Sequence, residues 1–412
     1  MAARDEATYG ALAVPDAQRE KIRVLFLSSP LTIGADTAIH LLLLRHLSRA
    51  RFELHAAGQP AGRSEGAAPA FEALQALPGV SLRPTNFGPS LFGQTRLSKL
   101  RSVSQVVPAS ASLIGLARYI RRHRIQILHA TDRPRDAVTC AALAALTGAK
   151  AVIHVHVKYG EWMSRGVKWA LGRADSLVGV SRFVAQSLVS DGGYRPERVH
   201  SVLNAIEPSR WDVTSSRDPG RDSLGVSAST PLILSVARLF RWKGHEELIR
   251  ALALVKRQMP DVRLAIVGTD YPEGSGTTRA LSALARELGV LENILFTGQR
   301  QDVASLLAAC DVFALPSFEE PFGLVFAEAL AMKRPVVALS NGGTPEVVDH
   351  GKSGLLSAPA DIESMAANLL TLLRDPGLRA SYGEYGRRQV ELRFTPERLA
   401  SDVEALYAQL LS

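Results

Sequence analysis

The chain has 412 residues, 46% hydrophobic and 21% charged, with 32 glycines and 22 prolines. These proportions exclude collagen-like or wholly disordered chains and leave room for two globular domains with separate cores. A net charge of +8 comes without a zinc spacing, a long basic run or an aromatic-basic RNA-binding pattern, so nucleic acid is not an expected partner.

Residues 1–20 carry no basic start followed by an apolar core, and they are expected to form a flexible tail without a signal peptide. No apolar run approaches the roughly twenty residues that span a bilayer. The two cysteines, Cys140 and Cys310, lie in apolar stretches. That excludes a disulfide framework and suggests buried thiols in a reducing, cytoplasmic setting.

From Lys21 the pattern is strand, loop, helix: KIRVLFL, a helical stretch over Thr37–Ser48, then a strand over Phe52–Ala56. Basic residues gather between Arg96 and Arg124. One reading is a solvated helix end, where cations are favoured; the other is a surface that meets an anionic membrane. Further strands are expected at Ile125–Ala130, Ala151–Val155 and Ser176–Gly179, with helices over Arg135–Leu146 and from Arg182; Ser201–Asn204 closes this half.

Glu207–Pro231 is rich in Ser, Asp, Gly and Pro and reads as a linker region. A second α/β series follows. Its strands are expected at Leu232–Val236, Arg263–Val267, Ile294–Thr297, Val312–Leu315 and Pro335–Leu339. Its helices are expected at His245–Gln258, Thr278–Leu288, Val303–Ala309 and Pro396–Leu411. The fold class is therefore α/β, two Rossmann-like doubly wound domains facing across a cleft. The division is a tail (1–20), an N-terminal domain (21–207), a C-terminal domain (208–395) and a C-terminal helix (396–412).

The chemistry concentrates at strand ends. Arg238 and Lys243 follow the strand Leu232–Val236, two cations able to neutralise a diphosphate. Glu320 precedes Pro321 and Gly323, which places it on a loop, and Glu328 falls about one turn into the following helix. Glu319 is expected to be a solvated neighbour. Phe322 has a core role, while the amides of Gly323 and Leu324 face a ligand. Gly342–Glu346 is expected to open another helix, whose N-terminus favours anions.

In the first half, Gly34 allows a close backbone approach and Asp132 and Arg133 lie in a loop that meets a substrate. His129, His154 and His156 cluster at strand ends; their spacing argues against zinc, and one histidine at the cleft is expected to be functional. No GxGxxG or P-loop follows a strand, and no DxD-type pair implies a metal, so neither a metal nor a cofactor is expected.

Taken together, RLFRWKG, EPFGLVFAE, PVVALSNGGTPEVV and GKSGLL closely resemble the retaining glycosyltransferases of family 4, which have the GT-B fold. Arg238 and Lys243 match the family's R-x4-K pair, and Glu320 and Glu328 its E-x7-E motif. The resemblance implies that Arg238 and Lys243 hold the donor diphosphate and stabilise the leaving group. Glu320 would contact the donor sugar and Glu328 the ribose, with Phe322, Gly323, Leu324 and Gly34 also on the donor. His156 corresponds to the active-site histidine; with Gly34 and Asp132 it belongs to the acceptor side. Gln299 and Arg300 are candidates to touch the base.

The implied reaction is metal-independent transfer, with retention, from a UDP-sugar or GDP-mannose to a hydroxyl of a glycan, lipid-linked or small-molecule acceptor. The chain departs from the family at Gly34-Ala35-Asp36-Thr37, at Asn204-Ala205-Ile206-Glu207, and at Lys333, where a helix-ending glycine is usual. The alternatives are a sugar-nucleotide epimerase of the same fold and a catalytically silent nucleotide- or glycan-binding scaffold.

Overall fold

The structure is a computed structural model that describes residues 20–62, 67–89, 96–211 and 216–412, with backbone alone over 96–106. The expected tail therefore lies, except for Glu20, outside the described residues. So do the side chains of Arg96, Lys99 and Arg101 in the basic segment, whose backbone forms the helix Arg96–Arg122. Among the described residues no helix is long and apolar enough to cross a membrane.

The chain builds two parallel sheets. The first contains β1 (Ile22–Ser28), β2 (Phe52–Gly58), β3 (Val80–Pro84), β4 (Ile127–Thr131), β5 (Lys150–Val155), β6 (Ser176–Gly179) and β7 (Val199–Ser201). The second contains β8 (Leu232–Val236), β9 (Arg263–Val267), β10 (Ile294–Gly298), β11 (Val312–Leu315), β12 (Val336–Leu339) and β13 (Gly354–Ser357). By compactness the chain divides into residues 1–152 and 153–412, the division falling inside β5.

In the first unit the strand order is β3-β2-β1-β4-β5. Val24, Leu25, Phe26 and Leu27 of β1 and Ile127 and Leu128 of β4 are at most 1% exposed. Such near-continuous apolar strands are what a parallel sheet covered on both faces requires.

The second unit holds the run β5-β6-β7 and the whole second sheet, ordered β10-β9-β8-β11-β12-β13. Each pairing of that sheet is parallel. The chain steps outward from β8 to β10, then returns to lay β11 against the free side of β8. That reversal creates a topological switch point between β8 and β11, the place where open α/β sheets bind ligands. Helices His245–Lys256 and Ile362–Arg374 bury Leu248, Leu252, Val255, Leu369 and Leu373 in the core beneath it, at the three- and four-residue spacing of an amphipathic helix.

Most expected elements are present within two residues of their anticipated ends. The stretch Ser201–Asn204, expected to close the first half, begins at the last residue of β7, into which Pro196 delivers the chain by a 3-10 turn. Among the described residues, β3, β13 and the helices Pro69–Gln75, Asp218–Leu224, Ile362–Arg374 and Pro376–Arg393 were not anticipated.

The linker reading needs correction. Asp218–Leu224 is a helix, and its Arg221 is 3% exposed. Arg221 donates to the carbonyls of Ala309 (3.1 Å) and Thr230 (2.9 Å) and pairs with Asp311 at 3.0 Å; Arg217 meets the same carboxylate at 2.7 Å. Asp311 also accepts from the Leu232 amide at 2.9 Å, so one carboxylate ties the starts of β8 and β11 to this helix. Asp311→Ala leaves a buried guanidinium uncompensated. It is expected to destabilise the fold by about 3–5 kcal/mol, read from denaturant midpoints.

Candidate active site

The loops leaving β8 and β11 meet at the switch point. The Trp242 carbonyl accepts from the Phe318 amide at 2.7 Å and from the Ser317 hydroxyl at 3.3 Å, which holds the two loops together. Beside this junction Lys243 Nζ reaches Glu320 Oε2 at 2.6 Å, the two side chains 20% and 11% exposed. Two residues the sequence assigned to one ligand thus form an ion pair. Arg238, also after β8, is exposed, and among the described residues no carboxylate or carbonyl accepts from its guanidinium. It lies over the Tyr271 ring at 4.2 Å from the centroid.

Glu319 is not a merely solvated neighbour. Its backbone is left-handed (φ 46°), which turns its carboxylate onto Lys158 Nζ at 2.6 Å. Lys158 was not singled out from sequence, although it stands only two residues beyond His156.

Phe322 is 2% exposed and packs edge-on against Phe394, centroids 5.6 Å apart, so its side chain belongs to the core and leaves only backbone for a ligand. Gly323 (φ 89°) then starts the helix Leu324–Ala331. The amides of Leu324 and Val325 meet no acceptor among the described residues, as expected for a first helical turn. Glu328 stands on this helix, half-buried, and desolvation pushes its carboxyl up to about 7 against the opposing pull of Arg210.

The anion site expected at Gly342–Glu346 is not built. Thr344–Val347 is a single helical turn, and the Gly343 amide is already given to the Glu320 carbonyl at 2.7 Å. The glycines serve close packing instead. A Cβ at Gly343 would sit 2.4 Å from the Pro321 carbonyl oxygen, and one at Gly342 2.7 Å from Glu320 backbone. Glu346 faces inward, 8% exposed, accepting from the amides of Arg182 and Phe183 at 2.9 Å each. Lys333, at the position where a helix-ending glycine is usual, has a left-handed backbone (φ 56°).

In the first unit Gly34 precedes the helix Ala35–His46, and Asp132 is partly exposed after β4. Arg133 is committed to Asp36, with one Nη2–Oδ1 contact at 2.9 Å. Asp136 was not predicted: wholly buried, it accepts from the Ser29 amide (2.9 Å) and the Thr131 hydroxyl (3.1 Å), and burial pushes its carboxyl up to about 6. It ties the loop after β1 to β4.

In the second unit the rings of His154 and His156 lie 4.6 Å apart, His154 fully buried and His156 partly exposed just past β5. Gln299 lines a hollow at the ends of β9 and β10 with Leu239, Gly268, Thr269 and Thr278. Arg300 is instead held by Asp302 at 2.8 and 2.6 Å. Both cysteines are buried thiols.

Residues 39–210 match the family model described as Glycosyltransferase Family 4, and residues 216–389 the model described as Glycosyl transferases group 1. A GDP-mannose-dependent monoacylated alpha-(1-6)-phosphatidylinositol monomannoside mannosyltransferase of Corynebacterium glutamicum is 30% identical, over 71% of this chain and 79% of that protein. The chain belongs to glycosyltransferase family 4.

Other family members align over different extents. An N-acetyl-alpha-D-glucosaminyl L-malate synthase of Bacillus anthracis is 27% identical, over 81% of this chain and 88% of the relative. A D-inositol 3-phosphate glycosyltransferase of Corynebacterium kroppenstedtii is 35% identical, but the match spans about half of each protein, 51% of this chain and 48% of the relative. Among solved structures, Anabaena Alr3699/HepE in complex with UDP superposes with a TM-score of 0.76 at 21% identity, covering 94% of this chain and 100% of that one. A glycosyltransferase from Rickettsia africae gives 0.77 at 19%, covering 96% and 100%. At such identities the likeness shows the fold, which is GT-B, with two Rossmann-like domains.

Proposed function

We propose that this family 4 glycosyltransferase moves a sugar, with retention and without a metal ion, from a UDP-sugar or GDP-mannose to a hydroxyl of a glycan, lipid-linked or small-molecule acceptor. The observation that carries the reading is the switch point of the second sheet, where Arg238 is open to an anion and Lys243 is paired with Glu320 at 2.6 Å. A nucleoside diphosphate whose phosphates displace part of that ion pair gains two cations and the open amides of Leu324 and Val325. Glu320 then turns to the donor sugar's hydroxyls, and Glu328 accepts from the ribose hydroxyls.

In the reaction the acceptor oxygen bonds to the anomeric carbon as the bond from that carbon to the diphosphate breaks. The electron pair goes to the departing phosphate, which takes the acceptor's proton. Arg238 and Lys243 stabilise the charge that develops there, a task fixed cations perform without reorganising. His156 serves near the donor sugar, and Gly34 and Asp132 on the acceptor side. Residues 21–207 act as the acceptor-binding part and 208–395 as the donor-binding part, a division that the spans of the two family models support. Relatives bearing transferase and synthase names do not favour the epimerase alternative.

A melting-temperature screen across UDP- and GDP-sugars tests the donor. One class is expected to raise the melting temperature, since a ligand at about 100 times its Kd adds about 2.7 kcal/mol to the native state. No shift with any nucleotide sugar sinks the reading. With an acceptor found, a product of inverted anomeric configuration overturns retention, and activity lost in EDTA overturns metal independence. Interconversion of the donor sugar without acceptor would mark an epimerase.

A further inference from the structure

Arg238 has an unusual environment for a residue assigned to phosphate. It is exposed, and no carboxylate among the described residues orients it. Its guanidinium carbon lies over two rings, 4.2 Å from the Tyr271 centroid and 5.8 Å from that of Phe240. Phe240 and Tyr271 are themselves 5.8 Å apart and tilted by 59°.

The backbone fixes this arrangement. Beyond the ends of β8 and β9 the two segments continue to pair. The Ala237 amide donates to Val267 O at 3.0 Å, Leu239 to Thr269 O at 2.8 Å, and Tyr271 to Leu239 O at 3.0 Å. Gly268 (φ 147°) permits the approach, since a Cβ there would fall 1.9 Å from the Ala237 carbonyl oxygen. Tyr271 is therefore held opposite the residue that follows Arg238, with half of its surface still exposed.

We propose that Tyr271 is the positioning residue for Arg238. Its ring face stacks the planar guanidinium and leaves the N–H edge free for the donor diphosphate. A planar cation is attracted to the negative face of an aromatic ring and loses rotational freedom there. A carboxylate would orient the guanidinium equally well, but it would compete with phosphate for the same donors. An aromatic ring holds the cation without occupying its hydrogen bonds. The inference rests on the proposed donor role of Arg238.

The test is calorimetric titration of UDP and GDP, with uridine and guanosine as phosphate-free controls, into the full chain and the variants Tyr271→Phe, Tyr271→Leu, Arg238→Ala and Arg238→Ala/Tyr271→Leu. Tyr271→Phe is expected to bind the diphosphate as wild type does. Tyr271→Leu, which keeps apolar bulk without the ring, is expected to bind about two- to fivefold more weakly, the scale of a cation over a ring at an exposed site. Nucleoside binding stays constant, and in the Arg238→Ala background the Leu substitution adds nothing. Tyr271→Leu indistinguishable from wild type overturns the proposal. So does an equal loss with and without Arg238, or a loss shared by the nucleosides. Wild type that binds neither diphosphate defeats the donor reading itself.

Discussion

Arg238→Ala is expected to lower kcat by about 10²- to 10³-fold while moving the melting temperature by no more than about 2 °C. Removing one preorganised donor from a developing oxyanion costs a reaction on that scale. The small thermal effect follows because Arg238 is exposed and paired with no carboxylate among the described residues, so its removal strands no charge. Lys243→Ala should behave differently. It leaves Glu320, 11% exposed, without its 2.6 Å partner, so stability and activity fall together. Lys243→Ala and Arg238→Ala should also weaken UDP or GDP binding more than Glu320→Ala does. Steady-state kinetics, melting curves and nucleotide titration of the three variants decide the matter. Equal nucleotide affinity across all three would refute the division of roles, and Glu320→Ala with unchanged turnover would remove that residue from the chemistry.

The grouping of Arg238, Lys243 and Glu320 at one switch point was legible in the sequence because they follow strands that are themselves legible. Leu232–Val236 and Val312–Leu315 are short apolar runs, and a parallel sheet demands such runs for its central strands. Knowing that ligands gather where strands end, the cations after one strand and the carboxylate after another become partners. The pairing partners themselves were not legible. Asp311 with Arg221, Lys158 with Glu319 and Glu346 with the amides after Ser181 join residues 90, 161 and 163–164 positions apart. No local pattern encodes such distances.

The misreading at Gly342–Glu346 has the same origin. Two glycines before a helix resemble an anion cradle, yet here they let one loop pass against the backbone of Glu320 and Pro321. The linker reading failed because composition reports turn-forming residues and not burial. Asp218–Leu224 is polar along its length, and Arg221 is buried only because Asp311 and three carbonyls, those of Ala309, Ser227 and Thr230, receive it. Strand β3 and the helix Ile362–Arg374 hold no residue that the motifs single out, so a reading led by motifs passed over them, while GKSGLL covers most of β13 without marking it as a strand.

Glu328→Gln is expected to raise the melting temperature at pH 8 and to weaken nucleotide binding in the same variant. The carboxyl of Glu328 is pushed from its ordinary 4.5 to about 7 by desolvation. Between those two values the folded chain keeps a proton that the unfolded chain has released. The contribution of this group to stability therefore falls as pH rises through that window, and above about 7 the native state carries the full cost of a desolvated carboxylate. At 1.36 kcal/mol per pH unit the limit is about 3 kcal/mol, and partial solvent access reduces it to on the order of 1–2 kcal/mol. Glutamine has the same shape and no charge. Its advantage should be a few degrees at pH 8 and should shrink toward zero near pH 4.5. A variant that melts below wild type at pH 8, or at a constant offset across pH, contradicts the desolvation account. A carboxylate kept at a net cost to the fold needs a use, and two ribose hydroxyls supply one, since charge-assisted hydrogen bonds contribute about 1.5–3 kcal/mol. Binding of UDP or GDP by Glu328→Gln should be about tenfold weaker at pH 8. Wild-type affinity should decline as pH falls below about 7, while that of the variant stays flat. The 2′-deoxy nucleotides should barely distinguish the two proteins. If the deoxy and ribo forms lose affinity equally, Glu328 acts on the fold alone and the ribose contact is wrong.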